Sequence, residues 1–244
     1  MTENGSVQTE RFDIDAEVIS FSGKELKNIN LSPLISCTSL QLLDLSLNQL
    51  ESVDLSPLSS CNNLWELRLS GNLLQSVHLS PLSSCTSLEG VGLSFNDLHS
   101  VDLSPLSSCT NLLGLDLSLN HLQSVDLSPL SSCTNLEVLE LSGNQLWSVD
   151  LSALSSCATL QVLSLSTNQL ESVDLSPLSS CTSLHGLFLS YNQLHSLDLS
   201  PLVDAPYLSL TVDDEVILTA REALRKERGL PASFEGLAER IHWL

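Results

Sequence analysis

The residues able to do chemistry in this 244-residue chain are its seven cysteines, six histidines and 29 acids, and their spacing decides which chemistry is open to them. Cys37, Cys61, Cys85, Cys109, Cys133, Cys157 and Cys181 recur every 24 residues. Zinc needs four thiolates converging at about 2.3 Å, whereas one sulfur per period makes a line with about 5 Å or more between members. Seven is also an odd number for a disulfide framework. Free, buried thiols acting as small hydrophobes in a reducing compartment are expected, and no metal.

The same period places Asp54, Asp102, Asp126, Asp150, Asp174 and Asp198 in a stripe that His78 interrupts. A divalent cation or a basic partner would suit it. No segment has the alternating-oxygen spacing of a calcium loop, however, so a solvated, solubilising face is the expectation. His99 and His195 share one position of the repeat, His78, His121 and His185 lie at others, and His242 is near the C-terminus. No pair has the spacing of a metal site or a triad. With no H-E-x-x-H, P-loop, G-x-G-x-x-G or G-x-S-x-G element, the chain is expected to be no enzyme and to carry no cofactor.

The elements that position these residues follow from the period. Asn48, Asn72, Asn96, Asn120, Asn144, Asn168 and Asn192 run in phase with the cysteines, each in a segment such as Leu64-x-x-Leu67-x-Leu69-x-x-Asn72-x-Leu74. Leu67 and Leu69 alternate with Glu66, Arg68 and Ser70, which predicts a short strand with one face buried. Strands repeated in one direction pair in parallel, and eight of them span about 34 Å at their usual spacing. Each Asn lies where the chain turns, and its amide can satisfy backbone groups beyond the reach of the sheet. On the return leg Ser56 reads as a helix N-cap and Pro57 as the first residue of a single α or 3₁₀ turn.

This pattern resembles the leucine-rich repeat, L-x-x-L-x-L-x-x-N-x-L, over about residues 16 to 202. The resemblance implies an α/β solenoid, a curved right-handed superhelix with a parallel concave sheet and short helical turns on its convex side. Eight inward positions per turn, those of Leu64, Leu67, Leu69, Leu74, Val77, Leu79, Leu82 and Cys85, become buried only by stacking.

Three regions follow. Residues 1–39 form an N-terminal cap and a degenerate first repeat, in which Lys24 replaces the ladder Asn after a cap strand around Phe12 and Ile14. Residues 40–202 hold seven repeats, the last truncated. Residues 203–244 form a C-terminal cap: strands at 208–212 and 216–218 around Asp213-Asp214-Glu215, a capping box at Thr219 and Glu222, a helix stop at Gly229, and a final helix from Ser233 to Leu244.

The net charge of −20 arises from scarce bases, nine Lys and Arg in all. Such a surface repels phosphate backbones and favours a basic protein over nucleic acid. No run of about 18 apolar residues is present, and the start, MTENGSVQTERF, lacks the profile of a secretory signal. A soluble, cytoplasmic monomer with no membrane association is expected. The N-x-S triplets at Asn4 and Asn30 are read as chance in a Ser-rich sequence.

Function is sought where the repeats differ. The outward strand positions hold Asp44, Arg68, Gly92, Asp116, Glu140, Ser164 and Phe188, with Leu42, Trp65, Glu66, Gly90, Gly114, Glu137 and Tyr191 beside them. Drift after duplication explains variation on any exposed face. Two features argue against drift alone: Asp116 and Glu140 set like charges on adjacent strands, and Trp65, Phe188 and Tyr191 expose aromatic surface of the kind enriched in binding hot spots. Asp44 beside Arg68 reads as a surface ion pair. Gly90, Gly92 and Gly114 are expected to leave the sheet low. Trp65 and Tyr191, five strands apart, lie about 25 Å from each other.

The chain therefore reads as a recognition module binding a basic protein or peptide on its concave face through Trp65, Glu66, Arg68, Glu89, Asp116, Glu137, Glu140, Phe188 and Tyr191. The rival reading is a structural or solubilising repeat with no specific partner. An enzyme with an unrecognised site is a third.

Overall fold

Each unit holds its inward leucines two residues apart, so the strand they form ends almost as soon as it starts. The computed structural model describes residues 13–205, 207–223 and 232–244. Its strands are β1 (Val18–Ser20), β2 (Leu42–Asp44), β3 (Glu66–Arg68), β4 (Gly90–Gly92), β5 (Gly114–Asp116), β6 (Val138–Glu140), β7 (Val162–Ser164), β8 (Gly186–Phe188), β9 (Ser196–Asp198), β10 (Ser209–Thr211), β11 (Ile217–Ala220) and β12 (Ile241–Trp243). Strands β1 to β8 and then β10 make one nine-stranded parallel sheet in chain order. Register is strict. Leu43, Leu67, Val91, Leu115, Leu139, Leu163 and Leu187 face one another from strand to strand, all buried.

The strand stops where the residue before each Asn takes a left-handed conformation. Leu47, Phe95, Leu119, Thr167 and Tyr191 have φ of 53–61°, and glycine stands there at Gly71 and Gly143. This conformation is unfavourable for side chains. Glycine relieves it at two turns, and the leucine of the preceding turn covers the space: a Cβ on Gly143 would lie 2.6 Å from Leu119 Cδ2.

Beyond it, the Asn amides tie the stack together. Asn72 Nδ2 donates to Leu69 O of its own turn and Leu45 O of the turn before, and its Oδ1 accepts the Leu50 N–H. The same three links recur at Asn96, Asn120, Asn144, Asn168 and Asn192. Lys24 is no break in this scheme, because its backbone N–H donates to Asn48 Oδ1.

The return leg is a 3₁₀ turn, for example Ser56–Ser60, with Leu55 as its N-cap residue and no side-chain bond from Ser56 to the helix start. Ser56 is thus the first residue of the turn and not the N-cap expected of it. Asp54 does the work, its Oδ1 accepting the Ser56 N–H at 2.9 Å. Asp102, Asp126, Asp150, Asp174 and Asp198 do the same two residues ahead. The acidic stripe is thus a row of turn-forming side chains as well as a solvated face. Hydrogen bonds from Ser56 hold the Asp54 carboxyl below the usual carboxylate range, and Asp102, Asp126 and Asp174 behave alike.

All seven cysteines are free and buried. Each thiol from Cys61 to Cys181 also reaches a 3₁₀ carbonyl of the preceding turn, as Cys85 Sγ does Leu58 O at 3.5 Å. Burial pushes the thiols up, to about 12 at Cys85 and Cys133 and about 11 at Cys61, Cys109 and Cys181.

The ends depart further from expectation. Ile14 lies in an exposed turn instead of a cap strand, and Phe12 falls outside the described residues. At the C-terminus β10 extends the main sheet, whereas β11 pairs with β9 and β12 in a second parallel sheet. Thr219 belongs to β11, so the Thr219–Glu222 capping box does not form. Gly229 is outside the described residues. In place of a helix from Ser233 to Leu244 there is a 3₁₀ turn, Ala232–Leu237, and then β12. Burial of Ile241 in register with the buried Leu218 favours a strand that pairs with β11 over a free-standing helix of four turns or fewer.

Asp213 completes the stack. In inner turns the N–H before each Asn donates to a serine carbonyl of the following turn, as Thr167 N does to Ser190 O at 2.8 Å. Tyr191 has no following repeat, and its N–H is accepted by the Asp213 carboxylate at 2.9 and 2.8 Å, with Asn192 N–H at 3.3 Å. Arg240 then fixes the Asp213 loop by donating to the Asp213 and Asp214 carbonyls and pairing with the Asp214 carboxylate at 3.2 Å.

Candidate functional site

The outward face of the main sheet is organised in rows, because parallel register puts each repeat position beside its copies. One row is Gln41, Trp65, Glu89, Leu113, Glu137 and Gln161, whose backbones follow one another at N–H···O distances of 2.8 Å. The next holds Leu42, Glu66, Gly90, Gly114, Val138, Val162 and Gly186, and a third Asp44, Arg68, Gly92, Asp116, Glu140, Ser164 and Phe188.

A shallow depression of about 540 Å³ crosses these rows from β3 to β6. Trp65, Glu66, Arg68, Glu89, Asp116 and Glu137 all line it, so six of the nine sequence-predicted site residues come together there. Leu113 adds an exposed apolar wall that sequence reasoning passed over, because Leu is the residue least noticed in a leucine-rich chain. Glu140 stands beside Asp116 in register. Burial pushes its carboxyl up, a bond from the Ser164 hydroxyl opposes this, and the Asp116 charge adds to the rise. Phe188 lies two strands further on, and Tyr191 projects from the loop after β8, 76% exposed. These two residues are apart from the depression.

The three glycines expected to leave the sheet low all line the depression, but their surroundings differ. A Cβ on Gly90 would run into the Glu66 carboxylate, and one on Gly92 would come within 3.0 Å of Ser70 Oγ. A Cβ on Gly186 would touch the Phe188 ring at 3.2 Å. Gly114 alone has nothing within 4 Å of that position, so the floor of the depression is open over β5.

Asp44 and Arg68 do not form the ion pair expected of them. Arg68 Nε donates to Glu66 Oε1 at 3.1 Å, while Asp44 Oδ1 accepts the Ser46 N–H and hydroxyl. Side chains two apart on one strand share a face, which makes Glu66 as accessible to Arg68 as its cross-strand neighbour.

A second grouping joins Asp97, His121 and Gln145, one repeat position on three successive turns, with His99, and it was missed because the histidines were compared only with one another. His99 and His121, on consecutive turns, have ring centroids 5.5 Å apart, and His121 Nε2 lies 3.5 Å from Asp97 Oδ1. Gln145 Nε2 meets His121 Nδ1 at 3.3 Å. No group of three or more His, Cys, Asp or Glu able to hold a metal occurs among the described residues. Among the same residues no helix is long and apolar enough to cross a membrane.

Fold and site together define a parallel-sheet solenoid that keeps its buried positions nearly constant and varies its exposed strand face. A leucine-rich-repeat family model matches residues 86–146 and 134–194, and a second matches 36–59. Among solved structures, internalin C2 of Listeria monocytogenes is 30% identical over 81% of this chain and 80% of its own, with a TM-score of 0.65. Internalin F of the same organism is 28% identical over 80% of this chain and 53% of its own, with a TM-score of 0.63. Comparison with curated protein sequences gives no match. The chain belongs to the leucine-rich-repeat family.

Proposed function

We propose that the chain is a non-enzymatic recognition module that holds a protein or peptide carrying basic residues on its concave sheet face, as a monomer in a reducing, cytoplasmic setting. The observation that carries this reading is the depression over β3 to β6, where the repeats that are otherwise alike diverge into Trp65, Glu89, Gly114, Leu113, Glu137 and Asp116. A fold that needed only stability would set like charges apart, yet Asp116 faces Glu140. Seven buried free thiols suit a reducing compartment. An acidic face steers a basic partner inward and repels nucleic acid.

The test uses a panel of short peptides, basic, neutral and acidic, against the full chain and the double variant Asp116→Lys with Glu140→Lys. Basic peptides should bind the natural chain with a salt-dependent affinity that drops at least tenfold in the double variant. Equal binding of all peptides to both proteins would remove the concave reading in favour of a structural repeat.

A further inference from the structure

We infer that the depression over Gly114 is a receptor for one arginine side chain of the partner, with Trp65 as the stacking surface and the Glu66 and Glu89 carboxylates as its acceptors. The inference rests on the reading of the sheet face as an interaction surface and adds the chemistry that face recognises.

Three glycines share one sheet row, and their surroundings differ. Over Gly186 the protein's own Phe188 ring lies 3.2 Å from where a Cβ would stand, and over Gly90 lies the Glu66 side chain. Over Gly114 there is nothing. Valine occupies this row at Val138 and Val162, so the backbone geometry accepts a β-branched residue there. Glycine in a strand is unfavourable to stability. Gly114 therefore keeps open a space that the fold has no need of, in a depression lined by one indole and four carboxylates.

The lining specifies what fills it. Trp65 and Glu89 are adjacent in their row, with Leu113 next and Glu137 beyond, each one strand spacing of about 4.8 Å from the last. Trp65 and Leu113 supply apolar walls for a methylene stem. Glu66 lies across the floor, its side chain 20% exposed, with Oε1 bound to Arg68 and Oε2 turned over Gly90. Glu89 is exposed on the next strand. The acceptors thus lie on two adjacent strands, beside an aromatic face.

A planar guanidinium meets both demands at once, stacking on the indole while its fork of donors reaches two carboxylates. An ammonium is a compact, strongly hydrated charge with no flat face to stack, and it uses such a lining less fully. The surrounding charge favours the cation: the one base in the lining, Arg68, already has Glu66 as its partner, against the acids Glu66, Glu89, Asp116 and Glu137.

The experiment titrates the full chain with three neutral-background peptides that differ at one position, arginine, lysine or citrulline, and follows the Trp65 indole N–H by NMR, assigned with Trp65→Phe. The arginine peptide should shift this signal saturably, bind at least fivefold more tightly than the lysine peptide, and leave citrulline without effect. Gly114→Val fills the floor and leaves every charge in place. It should weaken the arginine peptide tenfold or more while the thermal midpoint stays level or rises. Glu89→Gln and Trp65→Ala should each weaken it about three- to thirtyfold, and Glu171→Gln, on an exposed turn outside the depression, should not.

Equal binding of lysine and arginine, or full affinity in Gly114→Val, overturns the inference. If a polybasic peptide still binds the natural chain and is lost on Asp116→Lys with Glu140→Lys, but is indifferent to Gly114→Val and Trp65→Ala, the concave reading stands and the arginine receptor falls. If no basic peptide binds at all, both fall.

Discussion

Replacing Asp213 by alanine removes the acceptor that stands in for a missing repeat. The Tyr191 and Asn192 N–H groups donate to its carboxylate at 2.8–3.3 Å, where inner turns use a carbonyl of the next unit. A charge-assisted hydrogen bond is worth about 1.5–3 kcal/mol when its loss strands a buried donor. Both amides lie close to water, which replaces part of what is lost, so Asp213→Ala is expected to destabilise the terminal turn by about 1–2 kcal/mol and Asp213→Asn by about half as much. Arg240 binds the Asp213 backbone carbonyl, and that link survives both substitutions. Because a solenoid unfolds from its weakest end, the effect should be local. Hydrogen exchange at Tyr191 and Asn192 should accelerate about five- to thirtyfold in Asp213→Ala, with the amide of Leu117 unchanged. A loss under about 0.3 kcal/mol with unaltered exchange at both amides would refute the capping role.

Leu117→Ala in a central turn should cost about 2–5 kcal/mol by denaturant unfolding, because Leu117 is fully buried, whereas Ser118→Ala, whose hydroxyl bonds only Asp116, should cost about 0.5 kcal/mol or less. The thiols should resist alkylation in the native protein near pH 8 and label fully after denaturation. Burial raises the folded pKa from 9.0 to about 11 at Cys61, Cys109 and Cys181 and to about 12 at Cys85 and Cys133, and raises Cys37 and Cys157 in the same direction. The unfolded state therefore ionises first, so stability should hold below about pH 9 and fall as pH rises towards 11 to 12, read as a dropping thermal midpoint. Removing residues 203–244 should expose Leu184, Leu187, Leu189 and Leu194, all buried in the full chain, and yield a protein that aggregates or frays from that end. A soluble, monomeric truncation with unchanged exchange protection would contradict the capping role of this segment.

The repeating core was legible in the sequence because each unit states the same constraint again. Leu67 and Leu69 alternate, Asn72 stops the strand, and every neighbouring unit repeats the pattern in phase. Asp54 was harder to place. Its position two residues before Ser56 fits an Asx turn as well as a solvated acid, and Ser at the start of a helix is the commoner cap. The C-terminal segment occurs once, with no repetition to average over, and Phe234, Leu237 and Ile241 carry a spacing that a short helix satisfies as well as a 3₁₀ turn followed by a strand. At the candidate site, the rows could be assigned from the period alone. Which glycine stays open could not, because that depends on the rotamers of Glu66, Ser70 and Phe188.

The Asn links all run one way. Each Asn serves the backbone of the turn before it, so a unit depends on its C-terminal neighbour to complete it. Repeat number is consequently free to change: a 24-residue unit spliced between two existing ones finds its acceptors ready on one side and supplies them on the other, lengthening the sheet by about 4.8 Å. The two ends have no such freedom. The first turn needs no Asn of its own and tolerates Lys24, but the last must be given an outside acceptor. A graft that keeps the Asp213 loop while adding units ahead of Leu184 should fold, and one that appends units after Asn192 must displace that loop first.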